Sequence, residues 1–120
     1  MLVVDDEPSV RQAVAAVLRE EGYDARAAAN GAEGLAYART WRPDVVLLDL
    51  VMPYMHGWAF AEAYRRLPGP HAPIVAMTGF PPAAADRAAA ELGAVEVLPK
   101  PLDVERLLET VGYLARYRAA

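Results

Sequence analysis

Five polar residues sit within two positions of the ends of short apolar runs. Asp5 and Asp6 follow Leu2-Val3-Val4, and Asp49 follows Val45-Val46-Leu47-Leu48. Thr78 follows Ile74-Val75-Ala76-Met77, and Lys100 follows Val95-Glu96-Val97-Leu98-Pro99. Three carboxylates, a hydroxyl and an ammonium in one pocket would suit a divalent metal and a phosphoryl group. Carboxylate oxygens are ligands for hard cations, and a carboxylate can itself accept a phosphoryl group. Phosphoryl transfer asks a protein mainly for positioning and charge stabilisation. Three carboxylates alone would repel and raise one another's pKa. Two charges from Mg²⁺ and one from Lys100 would balance them.

Each residue also has a plainer reading. Asp5 and Asp6 could cap a helix, favoured by its dipole. Asp49 could be an ordinary loop carboxylate, and Thr78 an ordinary strand end. Lys100 is the only lysine among twelve basic residues. It could be a chance survivor of a bias toward arginine, although an ammonium and a guanidinium fork are not equivalent. The outcome depends on whether the chain brings these residues together.

Helical patterns separate the runs. Leu2 to Val4 reads as a short buried strand, and Pro8 suits a first helical turn. Val10, Val14, Val17 and Leu18 form one apolar face that Gly22 ends. A second strand is expected around Asp24 to Ala28, then a turn at Asn30-Gly31 and a short helix carrying Leu35 and Ala38 that Pro43 stops. Val45 to Leu48 is apolar throughout, as in a strand covered on both faces. Residues 51–57 read as a loop containing Pro53 and Gly57. Phe60, Ala63, Tyr64 and Leu67 follow at helical spacing, until Pro68-Gly69-Pro70 breaks the helix. Ile74 to Met77 is the fourth strand. Pro81-Pro82 opens a helix with inner face Ala85, Ala88, Ala89 and Leu92, capped by Gly93. Val95 to Leu98 is the fifth strand. Asp103 is placed as an N-cap, and Val104, Leu107, Leu108 and Val111 form the apolar face of the last helix. The alternation predicts an α/β domain, a single doubly wound five-stranded parallel sheet of (βα)5 form, over residues 1–120. The polar ends of parallel strands then collect along one sheet edge, where open α/β sheets bind ligands.

Composition narrows the functional classes. The chain has 120 residues, enough for a single domain, and 55% are hydrophobic, ample for one core. A net charge of −4 gives no basic footprint for nucleic acid. The Arg65-Arg66 pair reads as the solvated end of a helix. With no cysteine there is neither a disulfide nor a thiolate site. No apolar run approaches a bilayer span, and a strand that begins right after Met1 leaves no room for a signal peptide. A cytoplasmic setting is expected. His56 and His71 lack ligand-like spacing and are assigned no function; Trp41, Trp58 and the tyrosines are read as partial core or surface rings.

Taken together, the motifs are far more specific than any one of them. LVVDDEP at Leu2 to Pro8, PDVVLLDLVMP at Pro43 to Pro53 with Gly57 following, PIVAMTG at Pro73 to Gly79 and GAVEVLPKP at Gly93 to Pro101 occur in order. The chain resembles the receiver domain of bacterial two-component response regulators, over essentially its whole length. The resemblance implies a flavodoxin-like sheet of strand order 2-1-3-4-5. It implies that Asp49 accepts a phosphoryl group from a histidine kinase or phosphotransfer protein. Asp6 would ligate Mg²⁺ (or Mn²⁺) directly, Asp5 largely through water, with Asp49 and the backbone carbonyl of Val51 completing the protein ligands. Thr78 would move to hydrogen-bond the phosphoryl group, and Lys100 would pair with Asp49 and then with a phosphate oxygen. The Lys100-Pro101 bond is often cis in this family. Output would pass through the fourth helix, fifth strand and last helix to a downstream protein or an output domain.

One position departs from the family. Three residues before the lysine it usually carries Tyr or Phe, which rotates inward as the threonine moves; here that residue is Val97. The usual threonine–aromatic switch is therefore in question, while the phosphate chemistry is not. Two other functions come into view. A Mg²⁺-dependent phosphatase using Asp49 would want an acid two residues later, where Val51 stands. A phosphorylation-independent interaction module would not need the intact acidic pair, Asp49 and Lys100.

Overall fold

The computed structural model describes residues 1–52 and 55–119, excluding the side chains of 117–119. Pro53, expected in the loop after Asp49, lies outside the described residues. The elements are β1 (Leu2–Val4), α1 (Pro8–Glu20), β2 (Arg26–Ala28), α2 (Gly31–Thr40), β3 (Val46–Asp49), α3 (Gly57–Arg66), β4 (Ile74–Thr78), α4 (Pro82–Leu92), β5 (Glu96–Pro99) and α5 (Val104–Ala119). All strand pairs are parallel, and the order is β2-β1-β3-β4-β5. That is the expected doubly wound sheet.

Alternating strand side chains feed two apolar layers. Leu2, Val4, Val46, Leu48, Ile74 and Ala76 pack with Leu35, Phe60, Tyr64, Ala88 and Leu92 from α2, α3 and α4. Val3, Leu47, Val75, Met77 and Leu98 pack with Val14, Leu18, Leu107 and Val111 from α1 and α5. Because β1, β3 and β4 are covered on both faces, they are apolar at nearly every position. Phe60 is fully buried, and its ring stacks on Tyr64 with centroids 5.8 Å apart.

Local signals account for most helix ends. Pro8 and Pro82 open α1 and α4. Gly93 closes α4 at φ 75°, a left-handed conformation open to glycine. Asp103 accepts a hydrogen bond from the Arg106 N–H at 3.3 Å, as its N-cap reading required.

Several expectations need correction. Asn30-Gly31 is a helix start rather than a simple turn. Asn30 caps α2 by accepting from the Glu33 N–H, and Glu33 accepts in return from the Ala29 N–H. The second strand begins at Arg26, two residues later than expected, and β5 begins at Glu96, leaving Val95 exposed. Val104 does not join the buried face: it stands 49% exposed at the first position of α5. Arg65 is not merely a solvated helix end. Its guanidinium donates to the carbonyls of Leu92 and Gly93 and so closes the last turn of α4. His56 caps α3, its Nδ1 accepting from the Ala59 N–H at 3.4 Å.

Candidate functional site

The parallel registers bring the singled-out residues to one edge. Val4 pairs with Leu48, which places Asp5 and Asp6 just beyond the end of β1 and beside Asp49, the last residue of β3. Asp49 pairs with Met77, so Thr78 stands one step further along β4. Thr78 pairs with Pro99, so Lys100 follows immediately beyond β5. Four strands of the sheet thus deliver all five side chains to its C-terminal edge.

Asp5, Asp6 and Asp49 each present a carboxylate oxygen within 4.8 Å of the others. Asp5 and Asp49 are buried and Asp6 is half-buried. The capping alternative fails. The residue preceding α1 is Glu7, its side chain makes no cap, and no acid lies in the first turn of the helix. Asp5 instead holds its own turn, its Oδ1 accepting from the Glu7 N–H at 2.9 Å. Asp49 Oδ1 accepts from the Val51 N–H at 3.2 Å. That bond fixes the start of the following loop, from which the exposed Val51 side chain projects.

Lys100 sits between two of the three acids. Its Nζ lies 2.8 Å from Asp5 Oδ2 and 3.4 Å from Asp49 Oδ2, so the closer partner is Asp5. The Asp5 contact is a buried, charge-assisted ion pair at hydrogen-bond distance. Burial pulls the Lys100 ammonium down, but contact with Asp5 and the charges of Asp49 and Asp5 outweigh it, and its pKa is raised. Asp49 shows the opposite imbalance. Burial and the charge of Asp5 push its carboxyl up to about 7, against smaller opposing effects of Lys100 and the Val51 N–H. One ammonium is too little for three acids.

A hard divalent cation fits this deficit. The donors are all oxygens, and they already converge. Asp5, Asp6 and Asp49 are therefore the residues that could hold such an ion.

Thr78 and Lys100 are linked through the backbone. The Lys100 N–H donates to the Thr78 carbonyl at 2.8 Å. The Thr78 hydroxyl belongs to its own loop, Oγ1 accepting from the Phe80 N–H at 3.0 Å. The Lys100–Pro101 peptide bond is cis, as the resemblance implied.

Gly57 also shapes the site, beyond its place in the motif. A Cβ there would meet Leu50 Cα at 3.0 Å and the Asp49 carbonyl oxygen at 3.2 Å. The Gly57 N–H donates to the Leu50 carbonyl at 3.2 Å. The start of α3 thus packs directly on the backbone bearing Asp49. The sequence reading of Gly57 as a loop residue carries no sign of this approach to the strand.

Comparison with known proteins agrees with this architecture. The family model described as "Response regulator receiver domain" matches residues 1–112. Protein PilH of Pseudomonas aeruginosa is 34% identical over 112 residues, covering 92% of this chain and 93% of that protein. The DNA-binding response regulator MtrA of Mycolicibacterium smegmatis is 36% identical over 111 residues, but the match spans only 48% of its length. Among solved structures, chemotaxis protein CheY4 of Vibrio cholerae superimposes with a TM-score of 0.82 at 34% identity, covering 94% of this chain and 95% of that one. A CheY-like receiver domain protein of Methanospirillum hungatei gives 0.88 at 26% identity, covering 98% and 94%. The chain belongs to the response regulator receiver domain family.

Proposed function

We propose that residues 1–120 act as one phosphoacceptor switch of a two-component system, with Asp49 as the acceptor. The observation that carries this reading is the convergence of three carboxylates around a single lysine at the C-terminal sheet edge. The donor is a histidine kinase or phosphotransfer protein, and the setting is cytoplasmic. A carboxylate oxygen of Asp49 attacks phosphorus, the bond from phosphorus to the donor atom breaks, and the donor leaves with its electron pair. The product is an acyl phosphate.

Asp5, Asp6, Asp49 and the backbone carbonyl of Val51 hold Mg²⁺ or Mn²⁺, which when bound supplies positive charge for the carboxylates and the phosphoryl oxygens. The same charge favours ionised Asp49, the form that attacks. Lys100, already between Asp5 and Asp49, pairs its ammonium with a phosphoryl oxygen. Thr78 turns its hydroxyl from its own loop toward the phosphoryl group. The chain catalyses its own phosphorylation and hydrolysis, as a switch rather than a turnover enzyme. Its output passes through α4, β5 and α5 to a downstream protein or an output domain.

The test is incubation with a small acyl phosphate with and without Mg²⁺. One base-labile phosphoryl group, gained only with the divalent ion and located in the peptide bearing Asp49, supports the reading. An equal gain in excess chelator, or a stable phosphate on a hydroxyl, overturns it.

A further inference from the structure

A cleft of about 530 Å³ opens beside the site between α4 and β5. Its walls include Thr78, Phe80, Ala85, Ala89, Val97 and Pro99. Its size follows from small side chains: α4 presents alanines, and β5 presents the short branched Val97. No ring from β5 fills it. The ring nearest in sequence is Phe80, two residues after Thr78. It is half-buried at the cleft wall and packs on the adjoining apolar layer.

Phe80 is tied to the chemistry by a single bond, from its N–H to Thr78 Oγ1 at 3.0 Å. The Thr78 backbone is itself anchored, its carbonyl accepting from the Lys100 N–H. Thr78 can therefore move mainly by turning about χ1, and a full rotamer step carries Oγ1 out of hydrogen-bond range of Phe80. A polar N–H left without an acceptor in a part-buried turn is unfavourable, so the turn must rearrange. The freedom to do so is local. A side chain at Gly79 would meet nothing within 4 Å. Pro81 and Pro82 are stiff, and a residue before proline is held to extended backbone. Backbone freedom is thus concentrated at Gly79, and a turn there carries the stiff Phe80-Pro81 unit at the mouth of the cleft.

We propose that Phe80 supplies the switching ring of this receiver: when Thr78 Oγ1 leaves the Phe80 N–H for a phosphoryl group on Asp49, the ring moves from the rim into the cleft between Ala85, Ala89 and Val97. This rests on the phosphoacceptor reading and adds the route by which α4 and β5 sense it. The direction of coupling is fixed, because one hydroxyl cannot hold both its loop and the phosphoryl group in the same rotamer. Phosphorylation then turns an open cleft into a filled one, changing the face offered to a partner.

The chain has only two phenylalanines, Phe60 and Phe80, which makes the test direct. The protein is labelled with 4-fluorophenylalanine, and ¹⁹F NMR with a soluble paramagnetic quencher reports the exposure of each ring. Phe60 is fully buried and serves as the internal reference. Addition of acyl phosphate and Mg²⁺, with intact mass monitored in parallel, is expected to cut quenching of Phe80 by roughly fivefold and leave Phe60 unchanged. Ala89→Leu, which narrows the cleft away from the carboxylates, is expected to take up phosphate while quenching of Phe80 stays at its unphosphorylated level. Undiminished quenching of Phe80 in a wild-type protein shown by mass to be phosphorylated would overturn the switch alone. No gain in mass would overturn the phosphoacceptor reading and the switch with it.

Discussion

The C-terminal edge at β1 and β3 and the outer edge at α4 and β5 are built on opposite principles. Every residue of β3 is buried, whereas β5 has one buried residue, Leu98, among exposed and half-buried ones. At the first edge backbone approaches backbone, with room only for Gly57 between α3 and the strand bearing Asp49. At the second, alanines and a valine leave an open cleft, and Gly79 has nothing near it. Close packing holds charged groups that must not drift, and loose packing leaves space for a response. The proposed chemistry and the proposed readout lie a few residues apart, and the Lys100 N–H bond to the Thr78 carbonyl joins the two edges.

Lys100→Arg should separate the two edges most sharply. A planar fork cannot sit as a point charge between Asp5 and Asp49. Mg²⁺ affinity by calorimetry is expected to stay within roughly tenfold, because the three carboxylates remain. The phosphorylation-dependent change in hydrogen exchange from Gly79 to Leu92 is expected to vanish. Wild-type behaviour in both measurements would make the lone lysine incidental.

The two glycines test the packing contrast. Gly57→Ala should cost about 1–3 kcal/mol in chemical denaturation, since the new methyl meets backbone that cannot give way. Gly79→Ala should change stability by less than about 1 kcal/mol, because the site is open and reduced freedom of the unfolded chain works in its favour. Equal costs would remove the distinction.

A smaller effect is expected from Asp49 itself. Its carboxyl is raised to about 7 in the metal-free fold, from an ordinary value of 3.8. Between those values the folded state binds more protons than the unfolded one, so stability falls as pH rises from about 4 to about 7. After allowance for relaxation and solvent the loss should be about 1–2 kcal/mol. It should disappear in Asp49→Asn, and Mg²⁺ should offset it by favouring the ionised form. A metal-free protein that gains stability over that range through this residue would show that the site is not short of positive charge.

Val51→Asn addresses the rim between the two edges. Val51 is exposed beside Asp49, and its apolar side chain gives an attacking water no hydrogen bond. An amide there should shorten the lifetime of the phosphorylated form by roughly three- to tenfold. A longer lifetime would mean that Val51 does not shield the phosphoryl group.

The same contrast explains what the sequence could reveal. Apolar runs ending in Asp5, Asp49, Thr78 and Lys100 are one-dimensional signals of a buried parallel sheet, and the structure joins them as that pattern implies. The inner face of α4 was legible from Ala85, Ala88, Ala89 and Leu92 for the same reason. What stayed hidden depends on contacts between distant segments. Arg65 closing α4 across 27 and 28 residues, Gly57 against Leu50 and Lys100 leaning toward Asp5 have no local signature. Val104 shares the apolar spacing of α5 yet is exposed at its first residue, because periodicity marks a face and not how far along the helix that face is covered. The reciprocal cap of Asn30 and Glu33 was readable, but it was masked by the turn preference of Asn-Gly.

The most direct test of the central claim is intact mass of the wild-type chain and Asp49→Asn after parallel incubation with a small acyl phosphate and Mg²⁺. The wild type is predicted to gain one phosphoryl group and the variant none, because an amide is no nucleophile at that position. Equal phosphorylation of the variant would contradict the assignment of Asp49 and, with it, the account of this edge as the place where the switch is set.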